Sequence, residues 1–256
     1  MAVGALALGC VPALREPSPR LEPPSIPVAA AAVDGLLAEA ERHFAQRPDA
    51  REVSLAARAF EDAARGDLTR VEGLLGVARV ASWQVEHERD SQARLALVDV
   101  ALEAAQWCSR RAPGRAECDY ALGQALGQQA RERPSTAHDG LGKMVEALRR
   151  VIATKPGLDD AGPHRVLALV LLRAPGWPAG PGDAEEGLAQ AGKAIALAPG
   201  HPENQLAWAE ALAKVGRQPE STAAAQRALA LARARPSDPD ASEWAARAER
   251  ALRDRP

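Results

Sequence analysis

Apolar positions recur three and four residues apart over most of this chain, the spacing that gathers them on one face of an α-helix. The first run places Val33, Leu36, Leu37, Ala40 and Phe44 within 29–46 and is closed by Pro48. A second helix is predicted over 51–64, ended by Gly66. Asp67 or Thr69 caps the third, with Glu72 three residues after Thr69 as in a capping box, and it runs to Glu88. The fourth covers 90–111 with Ala101, Ala105 and Cys108 on one face, and the fifth covers 116–133. The sixth, 139–154, carries Met144, Leu148 and Val151. The seventh spans 163–173. Asp183 caps the eighth while Glu186 reaches back, and its inner face is Gly187, Ala191 and Ala194. Pro202 opens the ninth, which ends at Gly216; the tenth continues to Arg235, and Ser237-Asp238-Pro239 starts a polar last helix.

Pro113, Pro156 and Pro199 each follow such a helix, and they lie 43 residues apart. A fixed period of this size marks an array of helical hairpins. Pairing the helices gives five antiparallel hairpins and a polar cap of the kind that closes an open stack. Leu122-Gly123 with Leu126, and Leu167-Ala168 with Leu171, resemble the first helix of a tetratricopeptide repeat. The sets Ala101/Ala105/Cys108/Pro113, Met144/Leu148/Val151/Pro156 and Gly187/Ala191/Ala194/Pro199 resemble its second helix, where small residues allow close approach and proline ends the helix. The clearest copy is NQLAWAEALAKVGRQPESTAAAQRALAL, with Gly216 at the turn. The resemblance, best over 116–235, implies an all-α, tetratricopeptide-like antiparallel helix-hairpin solenoid of about eleven helices. A period above the usual ~34 implies longer loops or helices.

A repeat array grows along one axis, so 256 residues read as one elongated domain, 29–254, after two N-terminal segments. A formal net charge of −2, with 26% charged residues, leaves no basic excess and argues against nucleic acid. Aromatics at 3% and abundant alanine imply helices packed on small side chains. Residues 1–10, MAVGALALGC, end like a lipobox: an apolar run, small residues and a cysteine that would carry lipid at Cys10. The apolar run is short and lacks a basic n-region, which a start codon placed too late would explain; an incidental cysteine on a disordered tail is the other reading. Six prolines within 11–28 read as a flexible or polyproline tether. No later stretch reaches the ~18 apolar residues of a membrane span. An antiparallel hairpin could bring Cys108 and Cys118 close enough to bridge in an oxidising compartment, but Cys108 reads more simply as a small core residue.

Around the repeat motif, the lipobox-like start, the proline-rich segment and KPGLDDAGPHRVLALVLLRAPGWPAGPGDAEEGLAQAGKAIALAPGHPEN resemble the T-component lipoproteins of tripartite ATP-independent periplasmic (TRAP) transporters. That resemblance implies an envelope location facing the periplasm, a solute-binding protein as partner, and ring-forming homo-oligomers in some members. A general envelope assembly scaffold, or a cytoplasmic adaptor, is the alternative.

The five histidines fall in no metal-ligand spacing, and no nucleophile elbow, phosphate loop or dinucleotide fingerprint is present. No catalytic residue, cofactor or metal is therefore expected. Asp159-Asp160 read as helix N-terminal acids. The nine-residue loop APGWPAGPG, 174–182, interrupts a hairpin that needs only a few residues, and long loops in repeats often mark the binding face. His164 and Arg165 lead into it and Trp177 lies at its centre, so the three are candidate partner-binding residues, Arg165 for a carboxylate and Trp177 as an apolar anchor. The competing reading has Trp177 plugging a gap and Arg165 pairing with Asp159 or Asp160. The repeat register aims Tyr120 at the concave groove, a fourth candidate, and Trp208 at the core.

Overall fold

A computed structural model describes residues 12–21 and 30–253. Eleven α-helices follow in chain order: α1 Ala30–Phe44, α2 Ala50–Gly66, α3 Glu72–His87, α4 Ser91–Arg111, α5 Ala116–Glu132, α6 Ala137–Thr154, α7 Leu158–Arg173, α8 Ala184–Leu197, α9 Pro202–Lys214, α10 Gln218–Arg233 and α11 Ala241–Arg253. Each odd helix pairs with the even helix after it, giving five hairpins with α11 laid on α10 as a cap. The odd helices also touch one another in succession from α1 to α11, so they form the inner row of a curved stack. Small side chains set the spacing. The buried faces hold Ala56, Ala59 and Ala63 of α2, Ala101, Ala104 and Ala105 of α4, and Ala224, Ala225 and Ala228 of α10. At Gly76 a Cβ would fall 2.1 Å from the Phe60 ring, so α2 and α3 meet with no room for a methyl group.

The turns follow their local chemistry. Asp183 accepts from the backbone N–H of Glu185 and Glu186, both at 3.0 Å, as expected of an N-cap, although Glu186 turns outward to Arg149. Gly216 takes φ +79° at the α9–α10 turn. The capping box expected at Thr69 is not formed. Asp67 accepts from both the N–H and the hydroxyl of Thr69, and Glu72 pairs with Arg70 and Arg115 instead. Cys108 and Cys118 are both buried and disulfide-bonded, closing the α4–α5 turn. Cys108 is thus more than the small core residue favoured by the sequence, because the turn at Pro113-Gly114 brings the two Cα atoms to 5.3 Å.

Two further departures concern segments without helical periodicity. Of the tether expected over 11–28, residues 12–21 lie docked along α4 on the outer side of the stack. Asp139 accepts from the Ala13 N–H (2.7 Å), and side chains of Gln129, Gln106, Trp107 and Arg111 donate to the carbonyls of Ala13, Arg15, Ser18 and Leu21 (2.6–3.0 Å). Ala13, Pro17 and Leu21 are buried in this strap. Helix α7 begins before Pro163, but Asp159, Asp160 and Ala161 have φ of 50°, 50° and 64°, so a left-handed turn precedes the regular helix. Cys10 lies outside the described residues.

Candidate functional site

An open cleft of about 350 Å³ on the inner face is lined by Glu41, Phe44, Arg47, Arg79, Trp83, Asp159 and Asp240. Arg79 and Trp83 lie one turn apart on α3 and so share its inner face. Trp83 meets Phe44 of α1 edge-on (centroids 6.3 Å) and stacks on His87 at 3.8 Å. The guanidinium groups of Arg47 and Arg79 stand 4.4 and 5.0 Å from the Phe44 ring centroid, within cation–π range. Arg79 pairs with Glu41. The Trp83 Nε1 is buried and donates to no described acceptor.

Asp159 enters this cavity from the opposite wall, and the left-handed turn is what presents it. Three consecutive non-glycine residues with positive φ each cost about 1–2 kcal/mol, so the turn persists only where neighbours fix it. Those neighbours are Tyr120, Arg165 and Asn204. The Tyr120 hydroxyl donates to Asp159 Oδ2 (2.8 Å), and Arg165 donates to the same oxygen (3.0 Å) and to Asn204 Oδ1 (2.9 Å). Asn204 Nδ2 donates to the carbonyls of Asp160 (2.8 Å) and Ala198 (3.0 Å). Gly162 makes the approach possible, since a Cβ there would lie 2.2 Å from the Tyr120 hydroxyl. Asp159 therefore does not serve as the simple helix-terminal acid that its position before Pro163 suggested.

The electrostatics behind the turn follow from burial and pairing. Desolvation raises the Tyr120 phenol well above its ordinary 10.0, with the Asp159 charge adding to it, so Tyr120 stays a neutral donor. Burial pulls the Arg165 guanidinium down, but the charges facing it, those of the Glu203 and Asp159 carboxylates among them, outweigh it and the net shift is upward. Glu203 reaches Arg165 (3.4 Å) and Arg247 (2.8 Å); burial opposes its charge, and these two arginines hold it below the ordinary carboxylate range all the same. His164, buried against Gln190 at 2.6 Å, is lowered chiefly by desolvation.

Of the four candidates from the sequence, Tyr120, His164 and Arg165 are buried. Tyr120 and Arg165 meet at Asp159 and brace the cavity wall from behind; Tyr120, which the repeat register aims at the concave groove, is instead buried in the core with its hydroxyl on Asp159. Trp177 is 90% exposed, at the tip of its loop and apart from the other three. Phe44, Arg47, Arg79, Trp83 and Asp240 were not singled out by sequence. The i, i+4 pair Arg79 and Trp83 on α3 is the one local signal that could have done so. Among the described residues no group of histidine, cysteine, aspartate and glutamate is arranged to hold a metal ion.

Paired hairpins, an inner row of odd helices and a polar cap define the architecture. The fold is a tetratricopeptide-like solenoid. The solenoid is similar to the solved structure of TTC0263, described as a thermophilic TPR protein in Thermus thermophilus, with a TM-score of 0.63 and 23% identity over 85% of this chain and 98% of that one. It is also similar to the MamA protein, with a TM-score of 0.50 and 18% identity over 81% of this chain and 95% of that one. At these identities the likeness is one of fold. No protein-family model and no curated protein matches the chain.

Proposed function

We propose that this solenoid is a non-catalytic scaffold that holds a protein partner against its inner helices, and that it is an accessory lipoprotein of a periplasmic, TRAP-type solute transport system. The cavity walled by Phe44, Trp83, Arg79 and the braced Asp159 carries the proposal. It joins apolar ring surface to paired charges, a composition suited to anchoring side chains of another protein. Strained backbone held by a buried network is the kind of construction that functional positions retain. A buried Cys108–Cys118 bridge supports an oxidising compartment, as does the lipobox-like sequence ending at Cys10. A solute-binding protein is the partner that the sequence resemblance implies.

The test is capture from envelope extracts with the full-length chain and its Arg79→Glu variant, whose exposed guanidinium can be reversed without emptying the core. Wild type is expected to enrich a periplasmic solute-binding protein, and Arg79→Glu to lose it with helicity unchanged. Recovery of cell-wall or pilus proteins alone overturns the transport reading in favour of a general envelope scaffold. Mass spectrometry of the mature N-terminus is expected to show a diacylated Cys10; an unprocessed Met1 overturns the lipoprotein assignment.

A further inference from the structure

We propose that the 174–182 loop is a second membrane contact, with Trp177 seated in the interface of the phospholipid bilayer. The loop carries no charged side chain between Arg173 and Asp183, and Pro175, Gly176, Trp177, Pro178 and Ala179 are all exposed. Trp177 itself is 90% exposed, the most uncovered large apolar side chain described. A tryptophan with an apolar body and one N–H suits the boundary between acyl chains and water.

The loop is built to hold that ring out. Gly182 N–H donates to the Pro175 carbonyl (2.9 Å), Asp183 N–H to the Leu171 carbonyl (2.9 Å), and Gly180 N–H to the Gly176 carbonyl (3.2 Å). A Cβ at Gly180 or Gly182 would lie 2.7 or 2.8 Å from the Pro175 carbonyl oxygen, so the loop closes on glycine alone. The flanking charges are already satisfied: Arg173 pairs with Glu210, and Asp183 accepts from the N–H groups of Glu185 and Glu186. Contact with lipid here is apolar rather than electrostatic, and zwitterionic lipid suffices.

The strap selects the bilayer as occupant. Ala13 is fixed to Asp139 at the start of α6, and the neighbouring His138 ring nitrogen lies 3.3 Å from the Ala179 carbonyl oxygen of the loop. The first described residues of the strap are therefore held on the side of the domain that carries the 174–182 loop. Cys10 is three residues upstream of Ala13, a reach of about 10 Å at full extension, so a lipid on Cys10 brings this edge of the solenoid to the membrane surface. In cells the inference rests on the lipoprotein reading of Cys10.

The experiment imposes the anchor chemically, so that it stands apart from what happens to Cys10 in cells. Cys108 and Cys118 are bridged, which leaves Cys10 as the remaining thiol of the three cysteines. The full chain is coupled through Cys10 to a maleimide phospholipid in phosphatidylcholine vesicles, with or without bromine on the acyl chains, and tryptophan emission is compared with that of Trp177→Phe. Bromolipid is expected to quench most of the emission that Trp177→Phe removes, and little of the rest. Equal Trp177 emission in both kinds of vesicle overturns the proposal. Should Trp177→Ala then abolish capture of a partner protein, the loop is a protein anchor. An unprocessed Met1 in cells would remove the lipoprotein reading and leave the vesicle result untouched.

Discussion

A methyl group at Gly162 would meet both the Tyr120 hydroxyl and, at 2.6 Å, the Asp159 carboxylate. Gly162→Ala should therefore part the two groups that fix the left-handed turn and destabilise the chain by about 1–3 kcal/mol, the usual cost of overpacking. Urea unfolding measures the loss, and an unchanged midpoint would mean that the turn yields without cost. A buried histidine and a half-buried one give a second prediction. His164 and His201 are both lowered from 6.5, mainly by burial. Near that pH the unfolded chain takes up protons that the fold refuses, so stability rises with pH across the window. Their contribution is complete above about pH 6.5 and is lost as the pH falls toward the folded-state values. Glu203, lowered from 4.5, acts in the same sense further down: its contribution is present above that value and lost below it. The urea midpoint is expected to drop between about pH 7.5 and 5.5, and a His164→Gln, His201→Gln double variant to flatten that slope.

Helices with a 3.6-residue period could be read from the chain because each buries one stripe against its hairpin partner, and the proline spacing set the repeat. Segments 12–21 and 159–161 could not. The strap has no periodicity, since its bonds run from α4, α5 and α6 side chains to its own main chain, which any sequence possesses. Asp159 misled because an acid ahead of a proline ordinarily faces free helix N–H groups, whereas here Tyr120, 39 residues away on α5, competes for it together with Arg165, six residues further along α7. The disulfide needed the α4–α5 turn in three dimensions before it could be inferred. It closes a loop of 10 residues, and loop entropy puts its contribution at about 2.5 kcal/mol. A Cys108→Ala, Cys118→Ala variant should lose that much in thermal or urea unfolding, and equal stability would show that α4 and α5 dock without it.

Superhelical rotation, summed over five hairpins, brings the two ends of the solenoid together. Arg47, after α1, holds the Asp240 carboxylate with two bonds of 3.0 and 2.7 Å, and His87 of α3 reaches Glu243 of α11 at 3.3 Å. No local pattern in the sequence could have paired residues 193 apart. The closure makes one wall of the inner cavity and leaves the Trp177 loop on an outer edge, so the inner wall and the loop can be tested separately. The most direct measurement places a photo-crosslinking amino acid at Trp83 on the inner wall and, as a control, at Leu197, exposed on α8, followed by irradiation in intact cells and identification of the adducts. The account predicts a periplasmic solute-binding protein crosslinked from position 83 and absent from position 197. Adducts formed from position 197 alone, or none to any protein from position 83, would contradict the inner wall as the partner-holding face.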